Sequence, residues 1–77
     1  ILLYPNPTNG IVILKNESSA NLKHARITDV NGRIIKTINI SNIGRETTIS
    51  LENLTTGLYF VEISTETTTI VKSIVKQ

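Results

Sequence analysis

The sequence predicts an all-β fold of about seven short antiparallel strands. Ile, Val and Thr together make up 29 of the 77 residues, and these β-branched side chains fit a pleated sheet better than a helix. Gly, Pro, Asn and Ser recur at short intervals, with brief apolar segments between them. This rhythm is typical of a sandwich or barrel and not of alternating strands and helices.

The strands follow from the apolar segments between turn signals. Pro5 ends the first strand because its ring removes a backbone donor. Asn31-Gly32 is a strong hairpin signal and predicts a type I′ turn, with the Asp29 side chain accepting N–H groups of that turn. The predicted strands cover residues 1–4, 11–15, 22–30, 33–40, 47–51, 58–64 and about 68–75.

The last segment is the one place where a helix competes with a strand. Apolar residues between Ile70 and Gln77 have a spacing that would suit an amphipathic helix. Three threonines precede this segment, however, and four of its residues are Ile or Val. We therefore predict an edge strand, in which Lys72 and Lys76 discourage aggregation of the edge.

Alternation along each strand predicts which side chains face the core. Residues 58–64 place Tyr59, Val61 and Ile63 on one face. A chain of 77 residues can form only a thin core. The predicted core includes Ile13, Ile27, Ile34, Ile38, Ile49, Leu51, Tyr59, Val61, Ile63, Ile70 and Ile74.

The composition excludes most chemistry, so we predict no catalytic residue, cofactor or metal and no enzyme. There is no cysteine, a single aspartate (Asp29) and a single histidine, His24, which the alternation places on the surface. The net charge of +2 is too small and too scattered to predict nucleic-acid binding. The apolar runs are far shorter than the ~20 residues that span a bilayer, so no membrane insertion is expected. Because the chain starts in an apolar stretch without methionine, we expect residues 1–77 to be one domain excised from a larger protein that continues upstream.

Four short motifs stand out by their order and spacing. Each is weak alone, since each also fits an ordinary turn, loop or edge strand. They are Tyr4-Pro5-Asn6-Pro7, Asp29-Val30-Asn31-Gly32-Arg33, Leu54-Thr55-Thr56-Gly57-Leu58-Tyr59, and Lys72-Ser73-Ile74-Val75-Lys76-Gln77.

Together these motifs resemble the C-terminal sorting domain of cargo proteins of the type IX (Por) secretion system of Gram-negative bacteria. That family has a Y-P-N-P opening, a D-x-x-G-[RK] hairpin, an L-x-x-G-x-Y-x-x-x-[IV] segment and a basic apolar tail. The resemblance covers essentially the whole chain and implies an Ig-like antiparallel β-sandwich.

The resemblance also implies a function and a set of partners. The domain would be an address that directs an N-terminally attached passenger through the outer-membrane translocon, so the protein would be secreted or held at the cell surface. A surface sortase would then remove the domain. Recognition would fall on Lys72, Ser73, Ile74, Val75, Lys76 and Gln77, with Lys72, Lys76 and Gln77 facing the receptor. The residues expected to hold the fold are Tyr4, Pro5, Asn6, Pro7, Asp29, Gly32, Gly57, Tyr59 and Ile63.

One alternative from another class stays open on sequence grounds. An Ig-like or fibronectin-like accessory module of a secreted protein could have the same strand pattern and bind carbohydrate or separate other domains. The chain has only three aromatic residues, which weighs against sugar stacking.

Overall fold

A computed structural model describes residues 1–77 and contains seven strands and no helix. The all-β prediction is therefore confirmed, including a strand in place of a helix at the C-terminus. The strands are β1 (Leu2–Tyr4), β2 (Ile11–Lys15), β3 (Leu22–Thr28), β4 (Ile34–Asn39), β5 (Glu46–Ser50), β6 (Gly57–Thr65) and β7 (Thr69–Lys76).

The strands form two antiparallel sheets that enclose the core. One sheet has the order β1-β2-β5 and the other β4-β3-β6-β7. The chain thus passes between the sheets after β2, after β4 and after β5, as in an Ig-like sandwich. Strand β7 pairs with β6 from Gly57↔Lys76 to Ser64↔Thr69, and no other named strand pairs with it, so it lies at an edge.

The core consists of twelve buried apolar residues from both sheets. Most predicted core positions are confirmed, and Ile38 and Ile70 pack against this cluster while remaining partly exposed. The cluster comprises Val12, Leu14, Leu22, Ala25, Ile27, Ile40, Ile49, Leu51, Tyr59, Val61, Ile63 and Ile74.

Two core predictions are wrong. In β2 the buried residues are Val12 and Leu14, whereas Ile13 lies on the other face and is only half-buried. Four consecutive apolar residues allow either phase of the alternation, so the pattern could not decide between them. Ile34 is 54% exposed, because the β3–β4 register shifts at Ile27/Thr28.

The hairpin between β3 and β4 has a different turn from the predicted type I′. A type I′ turn needs positive φ at both central residues, and no residue other than glycine has positive φ. Gly32 alone takes the left-handed conformation, with φ of 82°. Gly32 N–H donates to Asp29 O (3.1 Å) and Asp29 N–H donates to Arg33 O (3.0 Å), a three-residue loop with glycine at its third position. Strand β3 consequently ends at Thr28, earlier than predicted.

Three further features concern the single histidine, the two prolines and membrane-spanning segments. His24 is exposed, as predicted, and its Nε2 lies 3.2 Å from Ser64 Oγ. The Tyr4–Pro5 and Asn6–Pro7 peptide bonds are both cis. No helix in the structure has the length and apolar character to cross a membrane.

Candidate functional site

The C-terminal strand β7 has two faces of different character. The register with β6 pairs Tyr59 with Ile74 and Gly57 with Lys76, so even-numbered residues of β7 point into the sandwich. Ile74 is fully buried. Odd-numbered residues point outward, and Val71 and Val75 are 57% and 39% exposed.

Lys76 does not face outward as the receptor-facing expectation required. It is only 8% exposed, and its Nζ donates a hydrogen bond to Leu54 O at 3.1 Å. The physical reason is the alternation itself, because Lys76 lies two residues after buried Ile74 on the same face. Lys72 shares that face but stays half-buried, without an ion pair, while Ser73 and Gln77 are exposed.

The Asn6–Thr8 segment covers the outer edge of β7 along its C-terminal half. The Asn6 side chain replaces a strand residue, since its Nδ2 donates to Ser73 O (3.1 Å) and its Oδ1 accepts from Val75 N–H (3.0 Å). Thr8 then continues with backbone bonds, from Thr8 N–H to Val75 O (2.9 Å) and from Gln77 N–H to Thr8 O (2.8 Å). Thr8 and Lys76 form a parallel bridge. The first motif of the chain therefore holds the last one.

Thr8 is a residue whose importance the sequence did not reveal. It is only 2% exposed, its Oγ1 donates to Ile11 O at 2.7 Å, and the same atom accepts from Gly10 N–H at 3.1 Å. Gly10 lies so close to Glu52 that an added Cβ would come within 2.8 Å of Glu52 Cγ. These contacts anchor the segment that covers β7. The prolines and the Asn9-Gly10 pair signalled a turn here, but they did not reveal the contacts of Thr8.

The loop before β6 is held from two sides. The Tyr59 hydroxyl donates to Thr55 O at 2.7 Å and lies 3.2 Å from Thr55 Oγ1. A tyrosine near the start of the sixth strand that binds backbone a few residues upstream is the tyrosine corner of Ig-like sandwiches. Lys76 binds Leu54 O in the same loop. The predicted structural role of Tyr59 is thus visible in its contacts, whereas an added Cβ at Gly57 would meet no atom within 4 Å.

The Asp29 hairpin is closed by its own carboxylate. Asp29 Oδ1 accepts from Asn31 N–H and from Arg33 N–H, both at 2.9 Å, which confirms the predicted role of this side chain. Oδ2 lies 3.2 Å from Arg33 Nε. The Arg33 backbone N–H has the largest effect and holds the pKa of Asp29 below its ordinary 3.8. Desolvation opposes it, and the Asn31 N–H and the Arg33 charge lower the pKa further.

All four motifs meet at one end of the sandwich. The Asp29 hairpin and the Leu54–Tyr59 loop line a common shallow cleft, while the same loop contacts Lys76, which bridges to Thr8. Tyr4, Pro5 and Pro7 lie on the surface there, and Ile63 lies in the core. No three His, Cys, Asp or Glu side chains come together at this end or elsewhere. The arrangement can present a shaped surface to another protein.

The sandwich fold and the meeting of the four motifs at one end define a small module that presents its C-terminal strand, with the other motifs holding this strand in place. A family model described as the secretion system C-terminal sorting domain matches residues 2–77, and the chain belongs to this family. It is a C-terminal sorting signal for type IX secretion, and such signals are not catalytic. The domain directs export across the outer membrane to the cell surface or beyond. No curated protein and no solved structure matches the chain, and nothing favours the accessory-module alternative.

Proposed function

We propose that the translocon reads the outward surface of β7, and that a surface sortase removes the domain after the attached passenger has crossed. The observation that carries this proposal is the position of β7 at a sheet edge, close to the three other motifs of the chain. A folded domain of this kind can act as an address without any reacting group. Residues 1–77 would serve as one unit for this purpose.

The six tail residues divide by their surroundings into two groups. Ile74 and Lys76 are buried, so in the folded domain they would support the strand and not touch a receptor. Ser73, Val75 and Gln77 are exposed and Lys72 is half-buried at the rim, so these four are available for contact. Of the expected receptor-facing residues, Lys72 and Gln77 therefore keep the recognition role, Lys76 loses it, and Ser73 and Val75 join them.

A reporter fusion tests the sorting function directly. Residues 1–77 are placed behind a signal peptide and a reporter in a host with the type IX system, and the reporter is followed in the periplasm and the medium. We expect export, and retention in a matched strain without the translocon. Reporter that stays in the periplasm of the complete host would contradict the function.

Point variants at outward Val75 and at Lys72 on the rim test the recognition role. Val75→Glu and Lys72→Glu change exposed or half-buried positions, while Thr37→Glu changes an exposed position on β4 and is the control. We expect the first two to reduce export at least tenfold and the control to leave it unchanged. Thermal melts of the purified domains must show a folded state for each, and unchanged export of both tail variants would refute the assignment.

A further inference from the structure

The outer edge of β7 is half covered and half open. The hydrogen bonds of Asn6 and Thr8 engage Ser73 O, Val75 N–H, Val75 O and Gln77 N–H, which shows that odd-numbered residues direct their backbone groups away from β6. By the alternation of an antiparallel pair, Thr69 and Val71 do the same. By this alternation the N–H and C=O groups of Thr69 and Val71, and the N–H of Ser73, have no partner within the chain. Ser73 O is bonded to the Asn6 side chain, where the covered half begins.

The open stretch has defined ends and an apolar flank. The turn at residues 65–68 closes one end, since Thr65 N–H and Thr65 Oγ1 both donate to Thr68 O. The Asn6 side chain closes the other end. On the outer face of this stretch Val71 is 57% exposed, whereas Leu58 lies beside Val75 in the covered half.

We propose that the secretion receptor adds an extended strand of its own to the open edge of β7 at Thr69–Ser73, in line with the Asn6–Thr8 segment. Unpaired backbone donors and acceptors in a row are satisfied by an extended backbone, the mode known as strand addition. The covered half of the edge already binds strand-like residues of this chain in that way. In this mode the main-chain hydrogen bonds of the added strand supply the affinity.

The other edges fit this role less well. β7 is the longest edge strand, with eight residues, against three in β1, six in β4 and five in β5. The outward-directed positions of β4, Thr37 and Asn39, carry exposed polar side chains. The Lys36 Nζ of β4 also reaches across to Ser50 O of β5.

Proline substitution separates backbone pairing from side-chain contact. Val71→Pro removes an N–H that does not bond to β6, and proline is tolerated on an edge strand where its position faces solvent. Val71→Ala keeps the N–H and serves as the side-chain control. Thr37→Pro removes an outward-directed N–H from the opposite edge of the same sheet and serves as the edge control. Thr69→Pro repeats the test at a second position of the open edge.

The measurement is export of the reporter fusion in the complete host, with thermal melts of each purified domain as a check on folding. This proposal rests on the sorting function, and export of the unchanged fusion tests that function separately. We expect Val71→Pro and Thr69→Pro to reduce export at least tenfold, with Val71→Ala and Thr37→Pro within about twofold of the unchanged domain. If either folded β7 proline variant is exported normally, or if Thr37→Pro or Val71→Ala is retained equally, strand addition at this edge is wrong and the sorting function still stands.

Discussion

Single side chains hold the C-terminal strand in place, and Asn6 is the clearest of them. Its amide forms two hydrogen bonds to β7 across 67 and 69 residues of sequence. An exposed hydrogen bond contributes about 0.5–1.5 kcal/mol to stability. Asn6 therefore links the start of the chain to its end with a single side chain.

Replacing Asn6 tests this link. Asn6→Ala should lower the free energy of unfolding by about 1–2 kcal/mol, because both bonds to β7 are lost. Asn9→Ala, at an exposed asparagine three residues further on, is the matched control and should change it by less than about 0.5 kcal/mol. Urea denaturation measures both, and equal stability of the two variants would show that Asn6 does not hold the strand.

The hydroxyl of Tyr59 is the second such group. Tyr59→Phe leaves the buried ring and removes the hydroxyl's bonds to Thr55 O and Thr55 Oγ1, so we expect a loss of about 1 kcal/mol or slightly more. Tyr4→Phe is the control, since the exposed Tyr4 hydroxyl has no hydrogen bond within the chain. A thermal midpoint that falls equally in both variants would argue against a tyrosine corner.

At the scale of elements, the Asp29 hairpin should respond to pH. Because the pKa of Asp29 is lower in the folded state, its charge stabilises the fold above the ordinary value of 3.8. That stabilisation is lost as the pH falls from there through the lower folded pKa.

The comparison that detects this effect uses Asp29→Asn. Its thermal midpoint should lie below that of the unchanged chain at neutral pH, and the difference should shrink as the pH falls below 3.8. Glu17→Gln removes an exposed carboxylate without an ion pair and serves as control. A difference that stays constant over the whole pH range would mean that the Asp29 charge does not stabilise the turn.

Strand β7 offers a further comparison, between its two lysines. Lys76→Ala removes a buried stem and its bond to Leu54 O, and we expect a loss of about 1–3 kcal/mol. Lys76→Met keeps most of the stem and should cost about 1 kcal/mol or less. Lys72→Ala, at a half-buried position without an ion pair, is the control at about 0.5 kcal/mol. Urea denaturation that ranks Lys72→Ala equal to Lys76→Ala would contradict the burial of Lys76.

The elements were largely predictable because their signals are local. Segments such as residues 11–15 have the predicted strand bounds, and the inward side of β6 follows from its alternation. The turn at Asn31-Gly32 was predicted at the right place but with the wrong geometry. The Asp29 carboxylate accepts from two N–H groups and so favours a three-residue loop that ends in glycine over the two-residue type I′ turn. The Asn31-Gly32 dipeptide alone does not reveal this preference.

At the scale of the whole molecule, the tail belongs to the fold and is not an appendage. Removing residues 72–77 takes away the fully buried Ile74, most of the β6–β7 pairing and every contact of Asn6 with β7. A domain of this size has a stability of only roughly 4–12 kcal/mol, and one buried Ile reduced to Ala costs about 2–5 kcal/mol. Blocked export of such a truncated chain would therefore follow from unfolding as readily as from a lost signal.

The truncation has a direct physical readout. We expect the chain of residues 1–71 to lack a cooperative thermal transition in circular dichroism. Ile74→Ala in the full chain should keep a transition at a lower temperature. A cooperative melt of the truncated chain near that of the full domain would show that β7 is dispensable for folding.

By itself the sequence determined the all-β class, the number of strands, the order of the four motifs and the inward face of β6. These properties depend on neighbouring residues, whose alternation and turn chemistry are readable along the chain. Only the tertiary structure decided which face of β2 is buried and that Asn6 and Thr8 cover the edge of β7, whereas the inward side of Lys76 already followed from its alternation with Ile74. Those outcomes depend on contacts between residues as far apart as 67 and 69 positions, which no local pattern records.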